Sequence, residues 1–112
     1  MTNDYIALND LARQVEFPTD GTLSRTLQQD ERSKVVLFAF SAGQELSEHT
    51  AATPAIMHFL EGEADVTLGS DSITASAGSW IHMPPQLPHS IRAKTAVVML
   101  LTLLKGPDAP AR

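Results

Sequence analysis

The chain has 112 residues, 13 acidic against 8 basic side chains, a formal net charge of −5 and no cysteine. That length supports one hydrophobic core rather than two. The acidic balance argues against a phosphate-neutralising nucleic-acid surface, and the missing thiols remove disulfides, thiolate metal sites and a cysteine nucleophile together.

Residues 1–21 read as a lead-in. The opening MTNDYIALND has neither the basic nor the apolar region of a secretory leader. Asn9 or Asp10 stands where it would cap a short helix through Leu11–Val15, which the Phe17–Pro18 step would end. Asp20–Gly21 is turn chemistry. From Thr22 the pattern changes to short β segments. Ser24–Gln28 alternates weakly, Asp30–Glu31–Arg32 forms a charged turn, and Lys34–Phe40 is a strong strand rich in β-branched and aromatic residues. Further strands are expected at Glu45–His49, Ala55–Leu60, Ala64–Leu68, Ser72–Ala75, Trp80–Met83, His89–Ala93 and Thr95–Leu104, with turn residues between them.

A series of short strands with helix confined to one end predicts an all-β antiparallel sandwich or barrel over residues 22–105. Residues 106–112, with two prolines and two alanines, read as a frayed tail. The longest apolar run, Ala96 to Leu104 broken only by Thr102, is too short to span a bilayer. The expectation is a cytoplasmic protein with no membrane partner and no nucleic-acid partner.

The chemistry-bearing residues concentrate in one stretch. All four histidines, His49, His58, His82 and His89, fall between Gly43 and His89, together with Gly62, Gly69, Gly78 and the Pro84, Pro85, Pro88 cluster. No Gly-rich phosphate loop and no G-x-S-x-G elbow is present. Glu61 and Glu63 flank Gly62 as solvated turn carboxylates rather than a catalytic pair.

The spacing of this stretch resembles that of the cupins, small jelly-roll (double-stranded β-helix) barrels. Their first motif, G-x5-H-x-H-x3,4-E-x6-G, aligns with Gly43, His49, Ala51, Ala55 and Gly62. Their second, G-x5-P-x-G-x2-H-x3-N, aligns with Gly78, Pro84, Gln86, His89 and Ala93. Phe59–Gly69 is similar to the strand–turn–strand that joins the motifs. The resemblance spans roughly residues 35–104 and implies a cupin barrel behind a short helical lead-in. It also implies a divalent metal (Zn, Ni, Fe, Mn or Cu) as an optional cofactor. A homodimer is implied as well, packed through apolar faces such as the closing strand and through exchanged N-terminal strands. The departures bear on chemistry. Ala51 and Ala55 replace a histidine and a glutamate that would ligate metal, and a methyl group ligates nothing.

Three readings of the histidines remain open. In the first, His58 and His82 complete a four-nitrogen metal set with His49 and His89, the basis of a metal-dependent dioxygenase or isomerase. Alternatively, His49 and His89 are hydrogen-bonding groups in a small-molecule pocket lined by Met57, Phe59 and Trp80. In the third reading His58 and His82 face outward and serve a dimer interface. Strand alternation opposes the first: if Ala55 faces the interior, so do Met57 and Phe59, while His58 points away. A binding barrel is the favoured reading and the enzyme its alternative.

Overall fold

The computed structural model describes residues 4–106. Nine strands follow one short 3-10 turn at Leu11–Gln14: β1 Thr22–Gln29, β2 Ser33–Phe40, β3 Glu45–His49, β4 Ala55–Glu61, β5 Glu63–Leu68, β6 Asp71–Ser76, β7 Trp80–Met83, β8 His89–Ala93 and β9 Val97–Leu104. They form two antiparallel sheets, a first of order β1-β2-β9-β4-β7 and a second of order β3-β8-β5-β6. Sequence neighbours β2 and β3 lie in different sheets, as do β3 and β4, so the chain repeatedly crosses between layers. No helix among the described residues is long and apolar enough to cross a membrane.

The period-two pattern of β4 shows how the sequence sets the layers. Ala55, Met57 and Phe59 are buried while Ile56, His58 and Leu60 are half-buried. The buried set joins Phe40, Ala64, Val66, Ala75, Met83, Ile91, Ala93, Val97 and Met99 in one core between the sheets. Full burial of a side chain such as Phe40 or Phe59 contributes about 2–3 kcal/mol each.

Packing is uneven along the barrel. At the end where Phe40, Val97 and Phe59 face Ala64, Ala93 and Ala75, every one of these side chains is buried. Toward the opposite end burial is mixed, with Ala55, Met83 and His89 still buried. Leu101 and Leu103 on β9, Ile81 on β7 and Leu46 on β3 are only half-buried. The inward face is sealed at one end and less fully buried at the other, which is the mouth of the barrel.

The outer face of the first sheet is itself apolar. Leu37 and Ala39 of β2 and Val98 of β9 point away from the core cluster yet are buried. The lead-in supplies part of their cover. Ile6, Leu8 and Leu11 lie over Leu27, Val35 and Leu100 around a groove of about 320 Å³, and Arg25 donates to the Gln14 carbonyl at 3.0 Å. A bulge in β1 between Thr26 and Gln28 breaks alternation there and brings Leu27 into this layer. The expected cover for a closing strand apolar on both faces is thus supplied, over part of it, by the chain itself.

The lead-in corrects one expectation. Its helix is only the 3-10 turn, and Asp10 does not cap it: the residue has φ 60° and makes no side-chain capping bond. Its carboxylate pairs instead with Arg13 at 3.1 Å. The expected tail falls largely outside the described residues.

Candidate functional site

His49 ends β3 and His89 begins β8, and the two are directly opposite one another across the ladder. Their ring centroids are 4.1 Å apart with the planes inclined at 59°. Both lie on the inward side of the ladder, His89 buried and His49 exposed at the end of its edge strand. His89 is in register with Leu68 two residues from the Ile91–Val66 pair of the core, and it is 5% exposed. His49 reaches the interior through a bulge. Leu46 opposes Ile91 and His49 opposes His89, so Ser47 and Glu48 together face the single residue Ser90. Uninterrupted alternation from the inward Leu46 would have turned His49 to solvent; the extra residue returns it to the mouth.

Each ring is held the same way. His49 Nδ1 donates to the Ser47 carbonyl at 2.9 Å, and His89 Nδ1 donates to the Leu87 carbonyl at 2.8 Å. A carbonyl oxygen only accepts, so each Nδ1 carries the hydrogen, and in the neutral ring the lone pair is left on Nε2. No buried side-chain nitrogen or oxygen among the described residues lacks a partner. The Nε2 of His89, which has no protein partner among them, therefore keeps some contact with solvent. The Pro84–Pro88 loop shapes this side: Gln86, at φ 67°, donates its backbone N–H to the Ala51 carbonyl at 2.7 Å, joining the two loops that carry the motif residues.

The other predicted ligands lie elsewhere. His58 opposes Trp80 on β7 and Leu100 on β9, and His82 opposes Ile56. All of these belong to the outer face of the first sheet, opposite the face carrying Ala55, Met57 and Met83. The bulge in β4 lies beyond Phe59 and does not reverse His58. The expected four-histidine cluster is therefore not brought together, for the reason alternation indicated. Trp80 is likewise corrected as a pocket residue: it is 60% exposed on the outer face, its ring 6.5 Å from that of His82. Met57 and Phe59 do point inward, but at 1% and 0% exposure they are sealed core rather than pocket wall.

Sequence reasoning missed the half-buried leucines of the mouth and Lys34. Lys34 is in register with Leu103, which is in register with Ala55, so it occupies the inward face of β2 at the mouth end. An expected strand at Lys34–Phe40 contained the signal, but its inward face could not be chosen without its partner. At the rim, Asp30 in the β1–β2 turn accepts backbone N–H bonds from Arg32 at 2.7 Å and Ser33 at 2.9 Å, which hold its carboxyl below the ordinary value; a bond from Gln28 and the charge of Lys105 act in the same direction.

Two antiparallel sheets enclosing one core, with a pair of histidines at one end, define a small jelly-roll barrel. The sequence model of the cupin domain matches residues 36–103, and the chain belongs to the cupin family. A conserved Streptococcus pyogenes protein of unknown function is similar at 31% identity, with 93% of this chain and 91% of that one covered and a TM-score of 0.83. A cupin superfamily protein from Desulfitobacterium hafniense is similar at 26% identity, 92% and 94% coverage and a TM-score of 0.84. A salicylate 1,2-dioxygenase from Pseudaminobacter salicylatoxidans shares the fold at 14% identity and a TM-score of 0.69, with 26% of that chain covered. No curated protein matches the sequence.

Proposed function

We propose that this cupin is a binding barrel that takes a small molecule at its mouth, where the ligand meets His49 and His89. The observation that carries this reading is the histidine pair itself: adjacent rings, His49 fixed by the backbone of its own strand and His89 by that of the loop before β8, beside half-buried leucines. A mainly apolar concavity with a few oriented polar groups is the usual make-up of a small-ligand site.

The donor set does not fit a resident divalent ion. Stable sites generally use three or four protein ligands, and here two imidazoles stand beside Ala51 and Ala55. Among the described residues no group of three or more His, Asp or Glu is gathered as a metal site. The dioxygenase or isomerase alternative drew on His58 and His82 to complete the set, and their outward placement takes that support away.

The same reading includes a homodimer. Tyr5, Ile6, Phe17, Leu23 and Trp80 are large apolar side chains left exposed on the lead-in and the first sheet, and a second copy would cover them.

Elemental analysis of the purified protein, with and without chelator treatment and reloading, tests the metal-free binding site. Clearly substoichiometric metal, unchanged in His58→Ala, is expected. A stoichiometric ion lost in His49→Ala would overturn it. A fragment screen followed by NMR should move the ring resonances of His49 and His89 before those of His58 and His82.

A further inference from the structure

We infer that the ligand is a small organic acid with an apolar body and a hydroxyl group, its carboxylate drawn by Lys34 and its hydroxyl by the histidine pair. This rests on the binding reading above and names the ligand class for that site.

The inward row at the mouth can be read from the ladders. On the first sheet it runs Gln29, Lys34, Leu103, Ala55, Met83; on the second, His49, His89, Leu68, Asp71. A short link, Ser41–Gln44, joins β2 to β3, which sets the strand of Lys34 over that of His49. Facing sheets are about 10 Å apart, a gap that a lysine's four-carbon stem partly spans.

The charges on this row are segregated. Its one acid, Asp71, sits on the far edge strand, two strands and so about 10 Å from His89 and further from His49. Glu48, although adjacent to His49 in sequence, is exposed within the bulge, as is Ser47. The neighbouring β1–β2 turn is balanced, Asp30 and Glu31 against Arg32 and Lys105, with Lys105 Nζ already donating to the Asp30 carbonyl at 2.9 Å. In a chain of net charge −5, the β2–β3 side of the mouth presents Lys34, which pairs with no carboxylate among the described residues.

Lys34 is half-buried, and the ion pairs among the described residues are Arg13–Asp10, Lys94–Glu63 and Lys94–Asp65. An ammonium that has no carboxylate partner among the described residues, on a stem lying against apolar wall, gains from an anion brought by a ligand. The histidines ask for something different. With Nδ1 committed to donation, a neutral ring offers Nε2 as an acceptor, which a hydroxyl satisfies and a carboxylate does not. Leu101, Leu103 and Leu46 provide the surface for the apolar body.

Three probes test this by NMR titration of the full chain: 2-hydroxyisocaproate, its neutral primary amide, and a neutral branched alcohol, each against wild type and Lys34→Met. The acid should bind about tenfold tighter than the amide, as expected for one charge-assisted bond, with shifts at His49 and His89. Lys34→Met should keep the wild-type melting temperature and abolish the difference between acid and amide. Equal binding of acid and amide by wild type, or a preference that survives in Lys34→Met, overturns the inference while leaving the binding site in place. If the alcohol alone shifts the histidines, the acid class is again wrong and the site stands. If none of the three probes shifts them, the inference fails, and the fragment screen then decides the broader reading.

Discussion

Gly62 gives the sharpest test of how the two sheets are joined. It lies between β4 and β5 at φ 88°. A Cβ there would fall on the Ala96 carbonyl oxygen and 2.8 Å from Val97 Cα. Both are backbone atoms at the start of β9, and the region is tied in place. Lys94 donates to the Glu63 carbonyl at 2.8 Å, and Glu63 N–H donates to Thr95 Oγ1 at 3.0 Å. Gly62→Ala therefore adds a left-handed strain of about 1–2 kcal/mol to a backbone displacement of about 1–3 kcal/mol. Against a typical domain stability of about 5–15 kcal/mol, the sum of roughly 2–5 kcal/mol is a large fraction. Gly78→Ala is the control: its φ is 96°, but nothing lies within 4 Å of the added carbon, so only the strain applies. Urea unfolding followed by circular dichroism should show Gly62→Ala losing at least about 1 kcal/mol more than Gly78→Ala, at unchanged m-value. Equal losses for the two variants would refute the argument that close backbone approach, rather than φ alone, requires glycine at this position.

Phe59→Ala should cost about 3–5 kcal/mol because it empties a fully buried core position, whereas Trp80→Ala, on the outer face, should change monomer stability by less than about 1 kcal/mol; chemical denaturation of the pair checks both. Light scattering after gel filtration should give about twice the 12.1 kDa chain mass, shifted toward the monomer by Trp80→Asp, and a wild-type monomer at every concentration would sink the dimer. Asp30, whose carboxyl lies below its ordinary value of 3.8, favours the fold once ionised. That contribution is present above the unfolded value and is lost as pH falls through the lower folded one. The stability gap between wild type and Asp30→Ala should accordingly narrow on acidification, and a gap that widened toward low pH would contradict this sign.

Much of the fold was legible because alternation and turn residues are local signals. Ala55–Leu60 was readable as a strand with its outward and inward faces in the right order, which also placed His58 away from His49. The site was only half legible. Spacing paired His49 with His89, but the Pro84–Pro88 turn prevented the face of His89 from being carried back to His82 and Trp80. The lead-in misled for a related reason: Asp10 has the chemistry of a helix cap, yet its nearer partner is the Arg13 guanidinium, and the backbone turns left-handed there.

Sequence by itself determined the number and order of strands, the two motif spacings and the absence of a third and fourth ligand at Ala51 and Ala55, since these are matters of residue identity and period. Tertiary structure alone decided which way the decisive side chains point. The β3 bulge, invisible in a stretch reading Glu45–His49, turns His49 inward. The ladder from β2 to β9 to β4 assigns Lys34 to the mouth, and that from β4 to β7 assigns Trp80 to the outside. The physical reason is the two-residue period of a strand: one added residue or one different partner exchanges its faces, and partners are chosen by contacts far apart in the chain.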